Sequence, residues 1–215
     1  MKRCLVGSEM CIRDSISAPQ SRHSPSSDWR MDSTQNTTSE NTPEFIDGPF
    51  DGKLITCPDD CVRSIVQMIS SAESSIDLSV QYLDLDWYCG FGENPMIEAL
   101  HEAAIRGVQI RLILNGFYAE WDDEIRDTIH LFNTDWNGTQ GLDTTAILMS
   151  TSENISKLHN KGAIIDGSSV LVGSMNWGSS AALRNREMGI LINNEELASI
   201  YLSSFDSDWG RMDSS

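Results

Sequence analysis

The chain has 215 residues, 40% of them hydrophobic, and a formal net charge of −17. That length is enough for one domain with a proper core, and the composition is that of an ordinary globular protein. Residues 31–215 carry ten basic against 29 acidic side chains, a net of −19; such a body repels nucleic-acid phosphates, leaving room only for a local basic site, and a solvated acidic surface explains the charge equally well.

Residues 1–15, M-K-R-C-L-V-G-S-E-M-C-I-R-D-S, read as foreign to the natural protein, of the kind a translated sequencing adapter leaves at a contig end. On that reading the true N-terminus is missing, which leaves room for a signal peptide, an anchor or a whole domain ahead of it. Residues 16–48 are rich in Ser, Thr, Asn and Pro and poor in large apolar residues, so they read as a disordered linker. Residues 49–215 form the expected domain. No apolar run approaches the length of a membrane span, and the N-terminus lacks the apolar core of a signal peptide, so the expectation is a soluble chain of unknown compartment.

Lys53–Thr56 is a short strand candidate. Pro58, Asp59 and Asp60 suit the first turn of a helix whose apolar positions are Val62, Ile65, Val66 and Ile69. Ile76, Leu78, Val80 and Tyr82 alternate with Asp77, Ser79 and Gln81, which predicts a strand with one face buried. Residues 84–95 form a loop whose aromatics, Trp87, Tyr88 and Phe91, either line a substrate mouth or pack as a lid on the core; the lid is the favoured reading.

Met96, Ile97, Leu100 and Ala104 mark a second helix closed by Gly107, followed by an alternating strand over Val108, Ile110, Leu112 and Leu114. This is β-α-β order, which predicts a sheet with crossover helices. Glu120–Phe132 reads as a helix, 133–141 as a loop and Thr144–Met149 as a strand. Ala163–Ile165 and Val170–Val172 are two short apolar strands around a turn at Gly167, Ser168 and Ser169. Met188–Ile192 is a strand, and Leu197, Ile200, Tyr201 and Phe205 make a closing helix.

Cys57, Cys61 and Cys89 allow one disulfide and a spare thiol, or three reduced core residues, the reading favoured here. Cys57 and Cys61 lack further Cys or His ligands at zinc-site spacing, so no metal is expected.

The chemistry-bearing stretch is Leu158–Trp177. It holds His159, Lys161, Asp166, Gly173, Ser174 and Asn176 in the order H-x-K-x4-D-x6-G-S-x-N. On an extended strand His159 and Lys161 share one face, which sets an imidazole beside a fixed positive charge. Gly173 permits close approach to a ligand, and Ser174 and Asn176 offer a hydroxyl and an amide. A nucleophile or base, a cation and neutral donors around one point suit a phosphate diester.

This stretch resembles the HKD motif of the phospholipase D superfamily, with every position filled, and Glu187 in R-N-R-E-M-G-I sits where that family carries a downstream acidic residue. The resemblance covers roughly residues 50–212, including A-A-I-R-G-V-Q-I-R-L-I-L ahead of the motif and F-D-S-D-W-G at the end. It implies an α/β fold: a mixed, mostly parallel sheet flanked by helices on both faces, an α-β-α sandwich. It also implies a phosphohistidine intermediate, no metal or other cofactor, and two HKD motifs meeting at one site. This chain has a single H-x-K, since His23, His101 and His130 are followed at +2 by Pro25, Ala103 and Phe132. The second motif must come from a second copy in a homodimer or from a missing half.

His159 is expected as nucleophile or general acid. Lys161 and Asn176 are expected to hold phosphate oxygens, with Ser174 donating a further hydrogen bond. Glu187 is expected to orient His159, Asp166 to make a structural ion pair or turn contact, and Gly173 to meet a backbone requirement. A phospholipid or small diester is favoured over nucleic acid as substrate. An HKD-type endonuclease and a non-catalytic half-domain are the alternatives.

Overall fold

The computed structural model describes residues 51–87, 92–150 and 155–210. The segments read above as foreign and linker, together with Tyr88, Cys89, Gly90 and Phe91, lie outside the described residues. Among the described residues there are nine strands: β1 Asp51–Cys57, β2 Ser75–Ser79, β3 Asp86–Trp87, β4 Gly92–Glu93, β5 Gln109–Asn115, β6 Thr144–Met149, β7 Gly162–Ile165, β8 Ser169–Gly173 and β9 Glu187–Asn193. The helices are α1 Cys61–Ser71, α2 Pro95–Ile105, α3 Asp123–His130, α4 Ser179–Leu183 and α5 Glu195–Trp209.

Seven strands form one mixed sheet in the order β1-β9-β8-β7-β2-β5-β6. The α/β class and the flanking helices are as expected, but the sheet is not mostly parallel. Only β2-β5 and β5-β6 are parallel, while β2-β7, β7-β8, β8-β9 and β1-β9 are antiparallel. The reason is local. The helix α2 carries a crossover between β2 and β5, whereas β7 and β8 are joined by only three residues, Asp166–Ser168, and so short a link permits only antiparallel pairing.

That link is a tight hairpin turn. Asp166 and Gly167 have φ of +52° and +61°, and the Ser168 amide donates to the Ile165 carbonyl at 3.0 Å. Two left-handed residues in succession match the twist of the flanking strands, and Asp-Gly is the pair that adopts them most readily. The turn therefore starts one residue earlier than the sequence reading put it.

One face of the sheet packs under α1, α2 and α3 around Ile65, Ile69, Leu100, Ile110, Leu112 and Phe132. The other packs under α5 around Ile113, Met149, Ile164, Val170 and Phe205. Each large aliphatic side chain buried this way contributes roughly 1.5–3 kcal/mol. The strand β2 is covered on both faces rather than one: Asp77 and Ser79 are as buried as Ile76 and Leu78. The carboxylate of Asp77 accepts from Arg111 Nε at 2.5 Å, and Arg111 also reaches Asp206 at 2.8 Å and lies over the Phe205 ring. A buried charge tolerates that face only because its partner comes with it.

The first helix begins at Cys61, after Pro58–Asp60, and Asp60 accepts from the Thr56 amide and Ser64 Oγ. The expected loop 133–141 is largely helical. After α3 the chain widens into π-helical turns over Leu131–Thr139. Phe132 and Trp136, four apart, bury against the core, while Asn133 bonds Ala146 on β6 through both its amide atoms. Cys57 and Cys61 are joined by a disulfide and both are buried, which corrects the reduced reading. Of the aromatics expected to pack as a lid, Trp87 on the short strand β3 is 5% exposed and joins the core, while Tyr88 and Phe91 lie outside the described residues.

Candidate active site

The sheet has one edge where the C-terminal ends of β1, β2, β5 and β8 meet the N-terminal ends of β7 and β9. The pairs Ser79–Gly162, Gly162–Val172, Gly173–Gly189 and Cys57–Glu187 align that edge. Every residue of the motif except Asp166 lies along it. His159 and Lys161 are not in a strand; they lie in the irregular segment that enters β7 at Gly162. That segment crosses the end of β5, where the Leu158 amide donates to Asn115 Oδ1 at 3.2 Å. His159 is exposed, and Lys161 is 7% exposed.

The Lys161 ammonium donates to the His159 carbonyl at 2.6 Å and approaches Gln81 Oε1 at 3.4 Å. The same oxygen is 3.5 Å from Asn176 Nδ2. Gln81, 3% exposed just past β2, thus sets the cation and the amide beside one another. Asn176 is 7% exposed, and its Oδ1 has no hydrogen-bond partner among the described residues. Asn115 Nδ2 and Trp87 Nε1 share that condition. Buried polar atoms are seldom left unpaired unless strain or chemistry retains them.

The strands on either side hold these groups in place. Gly162 admits no side chain, because a Cβ there would meet the Tyr201 hydroxyl and lie 2.6 Å from the Leu171 carbonyl. Gly173 is similarly confined, with a Cβ reaching 2.9 Å from the Met188 carbonyl. Its neighbour is β9, so glycine is required there by strand packing rather than by ligand approach. Trp177, 1% exposed, bridges to Leu83, and the Asp84 amide donates to its carbonyl at 3.2 Å.

Ser174 donates to the carboxylate of Glu187 and accepts from the Met188 amide at 3.2 Å. Glu187 also accepts from Asn185 Nδ2 at 3.3 Å. Asp166 lies at the opposite end of the hairpin. Its carboxylate accepts from the Glu73, Ser74 and Ser75 amides and from Ser74 Oγ, all within 3.2 Å. Burial pushes its pKa up, but these bonds outweigh it and hold the carboxyl below the ordinary range.

Sequence reasoning missed Gln81 and Asn115. Both close an alternating strand, so they read as ordinary polar positions. The available signal was an amide at the C-terminal end of adjacent strands, where open α/β sheets gather ligands.

A family described as "Cardiolipin synthase, PLD-like domain" matches residues 65–209, well over half of the chain. The chain belongs to the phospholipase D superfamily. Similar members include a phospholipase D of Rickettsia prowazekii, 31% identical over 152 residues that cover 71% of this chain and 64% of that protein. A mitochondrial cardiolipin hydrolase of Canis lupus familiaris is 29% identical over 115 residues, 53% of this chain and 38% of its own. The chain thus spans less than two thirds of these relatives' length. In fold it resembles the superfamily member Nuc of Salmonella typhimurium, with TM-score 0.61 and 20% identity over 75% of this chain and 95% of that one. NucT of Helicobacter pylori gives TM-score 0.60 and 19% identity over 75% and 97%. Among the described residues no helix is long and apolar enough to cross a membrane.

Proposed function

We propose that the chain hydrolyses or transfers a phosphodiester through His159, with one HKD half-site per chain. A neutral imidazole at 159 attacks phosphorus. The P–O bond to the leaving alcohol breaks as a second imidazole protonates that oxygen. The second imidazole, now neutral, takes the proton of the incoming water or alcohol, whose oxygen displaces His159 from phosphorus. Lys161 and Asn176 hold the non-bridging oxygens, so the fixed charge a metal would otherwise supply comes from the ammonium. In this scheme Ser174 and Glu187 work as a hydrogen-bonded pair, with Glu187 setting the His159 tautomer.

One observation carries the reading. Lys161 and Asn176, fifteen residues apart, meet at Gln81 beside the segment that carries His159. The acidic body favours a phospholipid or small diester over nucleic acid. An HKD-type endonuclease would use the same groups. A non-catalytic half-domain would have no use for this arrangement.

The second imidazole comes from another copy or from another segment of a longer protein. What favours another copy is an apolar sheet face that α5 leaves uncovered beside the site. Leu54, Val172 and Met188 are 62%, 49% and 57% exposed there, and Leu54 and Val172 both pair with Ile190. Patches of this kind mark interaction surfaces.

The test is turnover of a soluble chromogenic diester. His159→Ala should abolish it, by about a thousandfold or more, while a comparable rate in that variant would end the proposal. Sedimentation velocity reads the pairing: a twofold dimer supports self-sufficiency, and a stable monomer supports an incomplete half.

A further inference from the structure

The strand β5 ends at Asn115, and the next turn exposes Phe117 and Trp121, 43% and 71% accessible, with Tyr118 between them. Phe117 meets both neighbours edge-on, at 5.0 Å from the Tyr118 ring and 5.9 Å from the Trp121 ring. A single side chain ties this turn to the catalytic segment. Asn115 Oδ1 accepts from the Phe117 amide at 3.3 Å and from the Leu158 amide at 3.2 Å. The aromatic turn and His159 are therefore each within two residues of one buried anchor. Gly116 seats the turn on β6, since a Cβ there would lie 2.6 Å from the Met149 carbonyl.

Tyr118 is half-buried against the core, but the two rings that flank it stand in water at the rim of the site, which is costly unless something covers them. Aromatic side chains with one wet and one apolar side are the residues proteins place at lipid–water boundaries. The charge around them narrows the choice. Glu120, Asp122, Asp123 and Glu124 follow the turn, and the nearby Arg126 is taken up by Asp123 and the Ala119 carbonyl. Anionic lipid surfaces attract basic clusters and would be repelled here. Aromatic faces with carboxylates beside them instead favour an organic cation such as a quaternary ammonium.

We propose that the turn Phe117–Trp121 docks the chain on a zwitterionic phospholipid surface, setting its rings among cationic headgroups beside the His159 site. This rests on the phosphodiesterase reading for its purpose but not for its test.

The experiment is co-sedimentation of the full chain with phosphatidylcholine vesicles, and with vesicles in which part of that lipid is replaced by phosphatidylglycerol. The wild type should bind the first and bind the second less. Trp121→Ser and Phe117→Ser should each weaken binding by about tenfold or more. The control is Ile105→Ser at the end of α2. Ile105 is 60% exposed at the opposite edge of the sheet, so this change should leave binding as it was. Thermal melts confirm that each variant is folded. No binding by the wild type, tighter binding to the anionic vesicles, or equal loss in Ile105→Ser would overturn the proposal. Diester turnover without vesicle binding defeats this inference alone, and vesicle binding without turnover defeats only the catalytic reading.

Discussion

The carboxamide oxygen of Gln81 lies 3.4 Å from the ammonium of Lys161, and nothing in the motif itself supplies that contact. It also receives Asn176, so one buried neutral acceptor aligns a group just before β7 with one just after β8. Gln81→Leu should therefore lower kcat on a soluble diester by roughly 10–100-fold with the fold retained. Gln81→Glu should act differently: a carboxylate there neutralises the ammonium, so KM should rise more than kcat falls. Steady-state kinetics of the two variants, with circular dichroism as control, separates alignment from charge.

Asp166 should govern acid stability. Its folded pKa lies below the unfolded value of about 3.9, so its contribution is present above that value and is lost as pH falls through the folded one. Asp166→Asn should cost about 1–2 kcal/mol near neutrality, because the group is partly exposed. The cost should vanish in strong acid. Denaturant melts across a pH series would show the two curves converging.

Arg111 joins the sheet to α5, and its removal strands a buried carboxylate. Arg111→Met should destabilise by about 3 kcal/mol, and Asp77→Leu added to it should restore most of the loss. Burial raises the Asp77 pKa, against the pull of the Arg111 hydrogen bond and charge. A raised folded pKa contributes stability that is present below the unfolded value and lost as pH climbs through the folded one. Without Arg111 it rises further, so the single variant should suffer most near neutral pH and least in acid.

The Cys57–Cys61 disulfide closes a short loop between β1 and α1. In the chain-entropy account a link of that span is worth about 2 kcal/mol. Reductant should lower the unfolding free energy by about that amount. An unchanged midpoint with free thiols detected would show that the link contributes nothing to stability.

Local patterns were the most readable. The β7-β8 hairpin follows from two apolar runs around a turn read at Gly167–Ser169, one residue late, and α2 from the spacing of Met96, Ile97, Leu100 and Ala104 ahead of Gly107. What escaped depended on distant partners. The charge of Asp77 made β2 read as half-exposed, because Arg111 and Asp206 arrive from 34 and 129 residues away. Residues 133–141 read as a loop because two asparagines and two glycines disfavour helix, and only β6 gives Asn133 and Asn137 their partners. Of the site, His159, Lys161 and Asn176 declare themselves by spacing. Gln81 does not, because its place between them is set by strand register.

The strand order also has a consequence for synthesis on the ribosome. The parallel strands β2, β5 and β6 emerge well before β7, so the inner edge of β2 stays open until residues 162–165 follow. The first strand, β1, waits still longer, for residues 187–193. Unsatisfied strand edges in a nascent chain invite pairing with other chains. The β7-β8 hairpin is thus also the piece that seals the sheet against aggregation, and chains truncated before it should be found in inclusion bodies.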